Sequence, residues 1–233
     1  MKKGKLIILE AGDGSGKATQ TKLLYDHLKA DGRQVHRVSF PDYNSSSSAL
    51  VRMYLAGSFG AHADDVGAYA ASTFFAVDRY ASYRMKWKHL YEAGAIILAD
   101  RYTTSNMVHQ AVKLADAAER DAFLGWLWDF EFVKLGLPAP DKVVFLDMAP
   151  AVADRLISAR ATETAAKQDI HEKDKDYLHR CHAAYLMLAE KYGWARVACS
   201  EGDAPRTREA IHADVYAAVQ SVLEEHIKEE NHD

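Results

Sequence analysis

The residues best suited to chemistry lie in one run near the start of the chain, Glu10-Ala11-Gly12-Asp13-Gly14-Ser15-Gly16-Lys17-Ala18-Thr19-Gln20. This run follows the apolar stretch 6–9 and precedes a segment with helical patterning. Closely spaced glycines let backbone N–H groups turn inward around phosphate oxygens, the helix N-terminus is positive, and Lys17 supplies a mobile charge. The run therefore predicts a site for the phosphates of a nucleoside triphosphate at residues 12–19. The alternative is a glycine-rich turn between strand and helix that binds nothing.

Two positions depart from the usual form of this loop, which has Gly at position 11 and a metal-binding Ser or Thr at position 18. Ala11 is compatible with the loop if the backbone there has a negative φ. Ala18 carries no hydroxyl, so a bound Mg²⁺ would need phosphates, water and another protein oxygen. Thr19 or an acidic side chain elsewhere in the chain is expected to supply that oxygen.

A second polar group follows the third apolar run, at Asp100-Arg101-Tyr102. Ligands of open α/β sheets bind at the carboxyl edge of the strands, where these side chains emerge. Asp100 is suited to hold Mg²⁺ directly or through water, and Arg101 is suited to form two hydrogen bonds with a substrate phosphate. The alternative is a structural ion pair at the end of a strand.

Two helical segments carry further candidates for substrate contacts. In the first, Phe75 and Arg79 are four residues apart and share a helix face, where a ring and a guanidinium can frame a planar base. The same helix is rich in aromatic residues throughout, so core packing is the alternative explanation. In the second, the spacing pairs Ser105 with His109 and Asn106 with Gln110. These polar residues are equally typical of a solvated face, and a lone histidine is more often structural than catalytic.

Length, composition and charge exclude several classes of protein. A chain of 233 residues that is 48% hydrophobic can bury a full core, as one domain or as one domain with a mobile insert. Its net charge of -4 argues against a surface that coats nucleic acid. Two cysteines without metal-ligand spacing favour a reducing compartment, and no stretch resembles a leader or is long enough to span a bilayer. We therefore expect a cytoplasmic protein with no nucleic-acid or membrane partner.

Five short apolar runs alternate with longer helical patterns, which is typical of βαβ units and a parallel sheet. The expected strands are 6–9, 35–40, 95–99, 143–146 and 195–198. The expected helices are 17–30, 69–92, 105–113, 117–133, 151–160, 174–192 and 206–228. The polar stretch 161–175 lies between two of these helices and is either a mobile lid or an ordinary surface loop.

Taken together, these motifs resemble those of the thymidylate kinases, P-loop nucleoside-monophosphate kinases that make dTDP from dTMP and ATP. The similarity spans nearly the whole chain and rests on the order and spacing of its parts. The matching positions are Glu10, Asp13, Gly14, Gly16 and Lys17; Phe40-Pro41; Phe75 and Arg79; Asp100-Arg101-Tyr102, Ser105 and Asn106; Leu146-Asp147, Pro150 and Arg160; and Asp169 and Glu172. The resemblance implies a single domain over residues 1–233. Its fold would be a three-layer α/β fold, with a five-stranded parallel sheet flanked by helices and a mobile lid at about 161–175.

The resemblance also implies roles for individual residues. Phe75 would stack on thymine while Arg79 binds its edge, and Arg101 would hold the dTMP phosphate. Asp13 would bind the deoxyribose 3′-hydroxyl or the metal, and Asp100 would serve Mg²⁺. The remaining nucleoside-binding residues would be Phe40, Pro41, Ser105, Asn106, His109 and Gln110. ATP would be the co-substrate, bound through its phosphates by residues 12–19, and the protein would form homodimers by helix packing.

Some positions depart from the family pattern. Ile170 stands where members with a catalytic lid arginine usually have that arginine, and Gly14 stands where other members have one. Arg160 and Lys167 are therefore the lid residues expected to stabilise charge on the transferred phosphoryl group. His109 replaces a tyrosine that is common beside the sugar, which leaves selection of deoxyribose over ribose open. Two alternatives remain, a kinase for another nucleoside or nucleoside monophosphate, and a nucleotide-binding regulator that binds ATP without transfer.

Overall fold

The structure, a computed structural model, describes residues 3–164, 169–172 and 174–230, without the side chains of 160–164 and 227–230. Within these residues the five expected strands form one parallel sheet in the order β2-β3-β1-β4-β5. The strands are β1 (Leu6–Ala11), β2 (Val35–Ser39), β3 (Ile96–Asp100), β4 (Lys142–Asp147) and β5 (Ala195–Ala198). Helices flank the sheet, so the expected fold class is confirmed.

The helices agree with the sequence patterns in position and differ in detail. They are α1 (Lys17–Ala30), α2 (Ala49–Leu55), α3 (Ala68–Ser82), α4 (Lys88–Glu92), α5 (Thr103–His109), α6 (Ala117–Trp128), α7 (Pro150–Thr164), α8 (Lys175–Tyr192) and α9 (Arg208–Glu230). A short hairpin, β6 (Ser200–Glu201) and β7 (Ala204–Pro205), precedes α9. No helix among the described residues is long and apolar enough to cross a membrane.

Two of the expected helices contain a widened turn that the sequence pattern did not predict. The expected helix 69–92 is α3, a π-helical segment at Tyr83–Trp87, and then α4. The expected helix 117–133 is α6 followed by a π-helical segment at Asp129–Lys134. A π turn inserts one extra residue into a helix, and such turns are frequent at functional sites.

Helix α2 was also missed by the sequence analysis. It follows a serine run in which Ser45 Oγ accepts a hydrogen bond from the Ser47 N–H, which starts a 3₁₀ turn that leads into the helix. Val51 and Tyr54 are buried against Ala71 of α3. The helix has seven residues, too few for a convincing helical period, so its stability depends on this tertiary packing.

Alternate residues of β1 enter two separate cores, because successive side chains of a strand point to opposite faces. On one face Ile7 and Leu9 pack in a cluster with α1 and α9. On the other face Leu6 and Ile8 pack in a cluster with Trp87 of the first π-helical segment. Both cores hold β1 at the centre of the sheet, so its carboxyl end is fixed in space.

Candidate active site

The carboxyl ends of β1 and β3 bring the two sequence motifs together. Leu9 of β1 pairs in register with Asp100 of β3, and the Arg101 N–H donates to the Leu9 carbonyl at 3.1 Å. The glycine-rich loop begins where β1 ends, and Arg101 follows the last residue of β3. The loop and the Asp100-Arg101 pair are therefore neighbours along one edge of the sheet.

The glycine-rich loop has the backbone conformation that its sequence predicts. Gly14 and Gly16 have φ of 75° and 80°, and Gly16 is the N-cap of α1. The Ser15 hydroxyl donates to the Gly12 carbonyl at 2.7 Å, which closes the turn. Ala11 lies in β1 and has no positive φ, as expected for an alanine at that position.

Gly14 cannot readily be replaced in this loop. A Cβ at this residue would lie 2.8 Å from the Ala153 carbonyl oxygen and 2.9 Å from Cγ1 of Ile157, both in α7. Its positive φ also disfavours any side chain. The arginine that the resemblance suggests for this position does not fit this loop without a backbone shift.

Lys17 forms an ion pair with Asp100 across the two motifs. Burial lowers the pKa of Lys17 from its ordinary value, and the nearby charge of Arg101 acts in the same direction. The Asp100 carboxylate opposes both effects. In this structure the loop lysine is thus neutralised by the carboxylate expected to serve a metal. Phosphate oxygens in the loop would compete directly with Asp100 for Lys17.

Arg101 is the one non-glycine residue with a positive φ, 67°, among those the structure describes. Such a conformation costs roughly 1–3 kcal/mol and is found where the surroundings impose it. The guanidinium donates to Asp13 Oδ1 at 2.7 Å and, at longer range, to the hydroxyls of Tyr185 (3.3 Å) and Ser105 (3.4 Å). Burial acts to lower the pKa of Arg101, but Asp13, Tyr185 and Glu10 outweigh it and raise that pKa well above its ordinary value. Arg101 is a permanent cation.

A cavity of about 170 Å³ opens beside Arg101. It brings together most of the residues expected to bind the nucleoside. The predicted residues in its wall are Asp13, Pro41, Phe75, Arg101, Ser105, Asn106, His109 and Gln110. Sequence reasoning missed Tyr43, Leu55 and His171 in the same wall, while Asp169 and Glu172 of the expected lid line it as well.

Phe40 was expected in this site but lies in the core. Its ring is buried against Tyr102, with 5.8 Å between the ring centroids. The residue follows β2, whose alternation directs it inward, and Pro41 reaches the cavity instead. The motif Phe40-Pro41 thus places one of its two residues in the wall.

Arg79 was expected at the edge of the base but lies behind the cavity wall. Its side chain is 1% exposed and pairs with the fully buried Glu131 through Nε at 2.7 Å and a terminal nitrogen at 2.5 Å. The other terminal nitrogen donates to Asn106 Oδ1 at 3.2 Å. Asn106 lines the cavity and Arg79 does not. Glu131 lies in the second π-helical segment, and no sequence motif pointed to it.

Two histidines stack in the cavity wall. The rings of His109 and His171 have centroids 5.6 Å apart and an interplanar angle of 5°, and Nε2 of His171 is 2.9 Å from the Tyr54 hydroxyl. Burial lowers the pKa of His171 to about 4 and that of His109 well below its ordinary value. Both rings are neutral at pH 7. His171 stands between the matched lid residues Asp169 and Glu172, which was the one sequence clue to it.

The described part of the lid packs against α2. The Ile170 N–H donates to the Leu55 carbonyl at 3.2 Å, and the Ile170 side chain is buried beside Val51 and Tyr54. Position 170 is therefore an apolar anchor in this chain. The expected lid 161–175 is narrower in the structure, because 161–164 belong to α7 and α8 begins at Lys175. Residues 165–168, which include the candidate Lys167, and the side chain of the candidate Arg160 lie outside the described part.

Comparisons with family models, with curated proteins and with solved structures all point to the same family. A family model described as thymidylate kinase matches residues 9–214. A thymidylate kinase from Mycobacterium tuberculosis is 34% identical over 191 residues, covering 81% of this chain and 87% of the relative. A probable thymidylate kinase from Thermococcus gammatolerans is 27% identical over 222 residues, covering 94% and 98%. The solved structure of a thymidylate kinase from Candida albicans has the same fold, with a TM-score of 0.67, 19% identity and coverage of 94% and 92%.

Proposed function

The chain belongs to the thymidylate kinase family and is an ATP-dependent dTMP kinase, and we propose that the glycine-rich loop and the Arg101 cavity are its donor and acceptor sites. The proposal is supported by the pairing of β1 with β3, which sets Lys17 beside Asp100 and Arg101 beside Asp13. Lys17 and Arg101, the two cations proposed to bind phosphate, then lie next to each other at one edge of the sheet. In-line transfer between two nucleotides needs this proximity.

We propose that the donor phosphates are bound by Gly12, Asp13, Gly14, Ser15, Gly16, Lys17, Ala18 and Thr19, as the loop motif predicts. Gly14 and Gly16, whose backbones are in the left-handed region, let the loop turn its N–H groups inward. The start of α1 adds the positive end of a helix. Lys17 would leave Asp100 for the phosphates of ATP. That exchange replaces one ion pair with another, so the lysine stays paired in both states.

The observation that carries the acceptor assignment is a pair of buried amide atoms. Among the described residues, the side-chain nitrogen of Asn106 and the side-chain oxygen of Gln110 have no hydrogen-bond partner, and both residues line the cavity. A buried donor and a buried acceptor without partners each cost about 1–3 kcal/mol. Thymine offers a carbonyl oxygen to the first and its N3–H to the second, whereas cytosine presents the reverse order.

The remaining acceptor contacts follow from the same wall. Phe75 is half-buried beside Tyr54, with ring centroids 6.1 Å apart, and is proposed to stack on the thymine. Arg101 would hold the dTMP phosphate, Asp13 the sugar hydroxyl, and Pro41, Ser105 and His109 would enclose the nucleoside. Arg79 would act on the base only through Asn106, whose Oδ1 it holds from behind the wall.

Mg²⁺ is proposed to arrive with ATP rather than occupy a preformed site. The described residues contain no group of three or more metal-ligating side chains. Mg²⁺ usually binds one or two carboxylates and takes its other ligands from phosphates and water. Asp100, once released by Lys17, fits that requirement, and Asp13 is the second candidate. The metal would neutralise charge on the transferred phosphoryl group.

The transfer itself needs alignment and charge more than acid–base chemistry. The acceptor is a phosphate oxygen that is already anionic, so no general base is required. Arg101 and Lys17 would align the two phosphates, and Arg160 and Lys167 of the lid are proposed to add positive charge as transfer proceeds. Closure of the lid would exclude water from the site.

We further propose that the whole chain is one kinase domain that works as a cytoplasmic homodimer, without nucleic-acid or membrane partners. Val77 and Tyr80 on α3 and Met85 in the adjoining π-helical segment are exposed, which provides an apolar helix face for a second copy. The two cysteines, Cys181 and Cys199, are free and buried, which fits a reducing compartment. Light scattering of the purified chain tests the dimer.

Release of ADP from ATP and Mg²⁺ with dTMP, dUMP, dCMP, UMP or AMP as acceptor tests the function. We expect preference for dTMP, dUMP as the second-best acceptor, and little reaction with dCMP because its base reverses the donor and acceptor pattern. Lys17→Ala should lose most turnover while the fold is kept. Binding of ATP with no transfer to any acceptor would contradict the assignment and favour a nucleotide-binding regulator.

A further inference from the structure

Tyr185 lies on α8, outside every motif that identified the site. It shares a buried face of the helix with Tyr177 and Cys181, at intervals of four residues. Its ring stacks on Phe145 of β4 with centroids 4.9 Å apart and an interplanar angle of 8°. Packing therefore fixes the position of its hydroxyl group.

The hydroxyl of Tyr185 bonds to both a partly exposed cation, Arg101, and a buried carboxylate, Glu10. It accepts a hydrogen bond from Arg101 at 3.3 Å and donates to Glu10 Oε1 at 2.9 Å. The Ala11 carbonyl oxygen, 3.2 Å away, and Nε2 of His109, 3.4 Å away, complete its surroundings. Burial raises the pKa of Tyr185 well above its ordinary value, so the group remains a proton donor at physiological pH.

Arg101 and Glu10 do not form a direct hydrogen bond. Their nearest side-chain nitrogen and oxygen are 3.6 Å apart, with the tyrosine hydroxyl bonded to both. Glu10 is fully buried and cannot move away, because Thr104 donates to it at 2.7 Å and Ser105 at 2.8 Å. Removal of the hydroxyl would leave the guanidinium free to close the gap.

A direct pair with Glu10 would compete with a ligand for Arg101. An arginine–carboxylate pair in contact is stronger than one at 3.6 Å, and the low dielectric of the interior amplifies the difference. The guanidinium would then shift toward Glu10, which does not line the cavity. Its charge would be satisfied inside the protein and less available to a phosphate.

We propose that Tyr185 is a positioning residue whose hydroxyl holds Arg101 away from Glu10 and so keeps the guanidinium available to the acceptor phosphate. This inference rests on the proposed role of Arg101 in the dTMP kinase reaction. It also assigns a function to α8, which begins at Lys175, shortly after the described lid residues 169–172. Tyr185 does not line the acceptor cavity, so its expected effect on the acceptor is on the phosphate and not on the nucleoside.

Tyr185→Phe tests the proposal, with Tyr177→Phe as the matched control. Tyr177 lies on the same face of α8, is equally buried, and donates its hydroxyl to the His109 carbonyl at 2.6 Å, so both variants lose one buried hydroxyl. Calorimetry measures the affinity of each protein for dTMP and for thymidine, which has no phosphate. We expect Tyr185→Phe to weaken dTMP about tenfold, the size of one charged hydrogen bond, and to leave thymidine within about twofold. Tyr177→Phe should leave the ratio of the two affinities unchanged.

A second variant separates positioning from packing. Glu10→Gln removes the carboxylate that would capture Arg101, so adding it to Tyr185→Phe should restore most of the dTMP affinity. A purely structural role for the tyrosine predicts no such rescue. In steady-state kinetics, Tyr185→Phe should raise the KM for dTMP about tenfold and leave the KM for ATP within about twofold of the wild-type value.

The outcomes distinguish this inference from the proposed function. Equal weakening of dTMP and thymidine, or an affinity ratio for Tyr185→Phe that matches Tyr177→Phe, overturns the positioning role while leaving the kinase assignment intact. If the wild-type protein makes no dTDP, the proposed function fails. The affinity ratios still decide the role of Tyr185, because they require binding without turnover.

Discussion

Two arginines lie near the acceptor cavity, and the structure holds them in opposite ways. Arg79 projects from the regular helix α3, is 1% exposed and forms a bidentate pair with Glu131. Arg101 has a left-handed backbone, is 17% exposed and has one short contact, to Asp13, among several longer ones. A guanidinium whose donors are already satisfied has little to offer a ligand. The loosely paired, strained Arg101 is the one available for phosphate, whereas Arg79 supports the wall.

The largest expected effect is on stability and comes from breaking the buried pair between Arg79 and Glu131. Removing one partner of a buried pair leaves an uncompensated charge, so Glu131→Ala should lower the free energy of unfolding by about 3–5 kcal/mol. Asp13→Ala removes one partner of the partly exposed Arg101, which keeps its contacts with Tyr185 and Ser105, and should cost less, about 1.5–3 kcal/mol. Urea unfolding of both variants measures the difference. Similar losses would show that the two pairs are not held differently.

The next effect is on catalysis and comes from replacing Arg101. Arg101→Ala should lower kcat/KM for dTMP by about 10²–10³-fold, the usual size for loss of one charge-stabilising donor in a reaction centre. Arg101→Lys should recover only part of this, because an ammonium cannot form a forked contact with phosphate. Steady-state kinetics with dTMP varied at saturating ATP measures the loss. Wild-type kcat/KM in Arg101→Ala would remove this residue from the site.

A pH effect is expected from the histidines on the Arg101 side. His171 has a folded-state pKa lowered to about 4 by burial, against an ordinary value of 6.5. The unfolded chain therefore binds more protons, so stability is complete above about pH 7 and falls as the pH drops toward 4. This one group should cost about 2 kcal/mol at pH 5 relative to pH 7. His171→Gln should flatten the decline in urea unfolding between these pH values, whereas His179→Gln, at an exposed histidine, should not.

The smallest effect is on the backbone and has opposite signs at the two arginines. At position 101 the positive φ favours glycine, so Arg101→Gly should be more stable than Arg101→Ala by about 1 kcal/mol. At position 79 the helix favours alanine, so Arg79→Gly should be less stable than Arg79→Ala by about 1 kcal/mol. Thermal unfolding of the four variants gives both differences. The same sign at both positions would show that Arg101 is not strained.

The sequence predicted what depends on local pattern and motif spacing. Apolar runs located the five strands, and the glycine-rich loop and Asp100-Arg101 were recognisable because their chemistry is written in adjacent residues. The partners of the two arginines were not predictable in this way. Glu131 is 52 residues from Arg79, and Tyr185 is 84 residues from Arg101, so only the fold brings them together. Glu131 also lies in a π-helical segment that the sequence pattern predicted as regular helix.

The most direct measurement is the affinity of dTMP and of thymidine for variants of each arginine. Arg101→Ala should make the two affinities nearly equal, because the contact to the phosphate is lost. Arg79→Met combined with Glu131→Met removes the buried pair without leaving a charge, and it should weaken both ligands while keeping their ratio at the wild-type value. The opposite result would contradict the account: a dTMP-to-thymidine affinity ratio that falls toward one in the Arg79 double variant and stays at the wild-type value in Arg101→Ala. That result would place the phosphate site at Arg79.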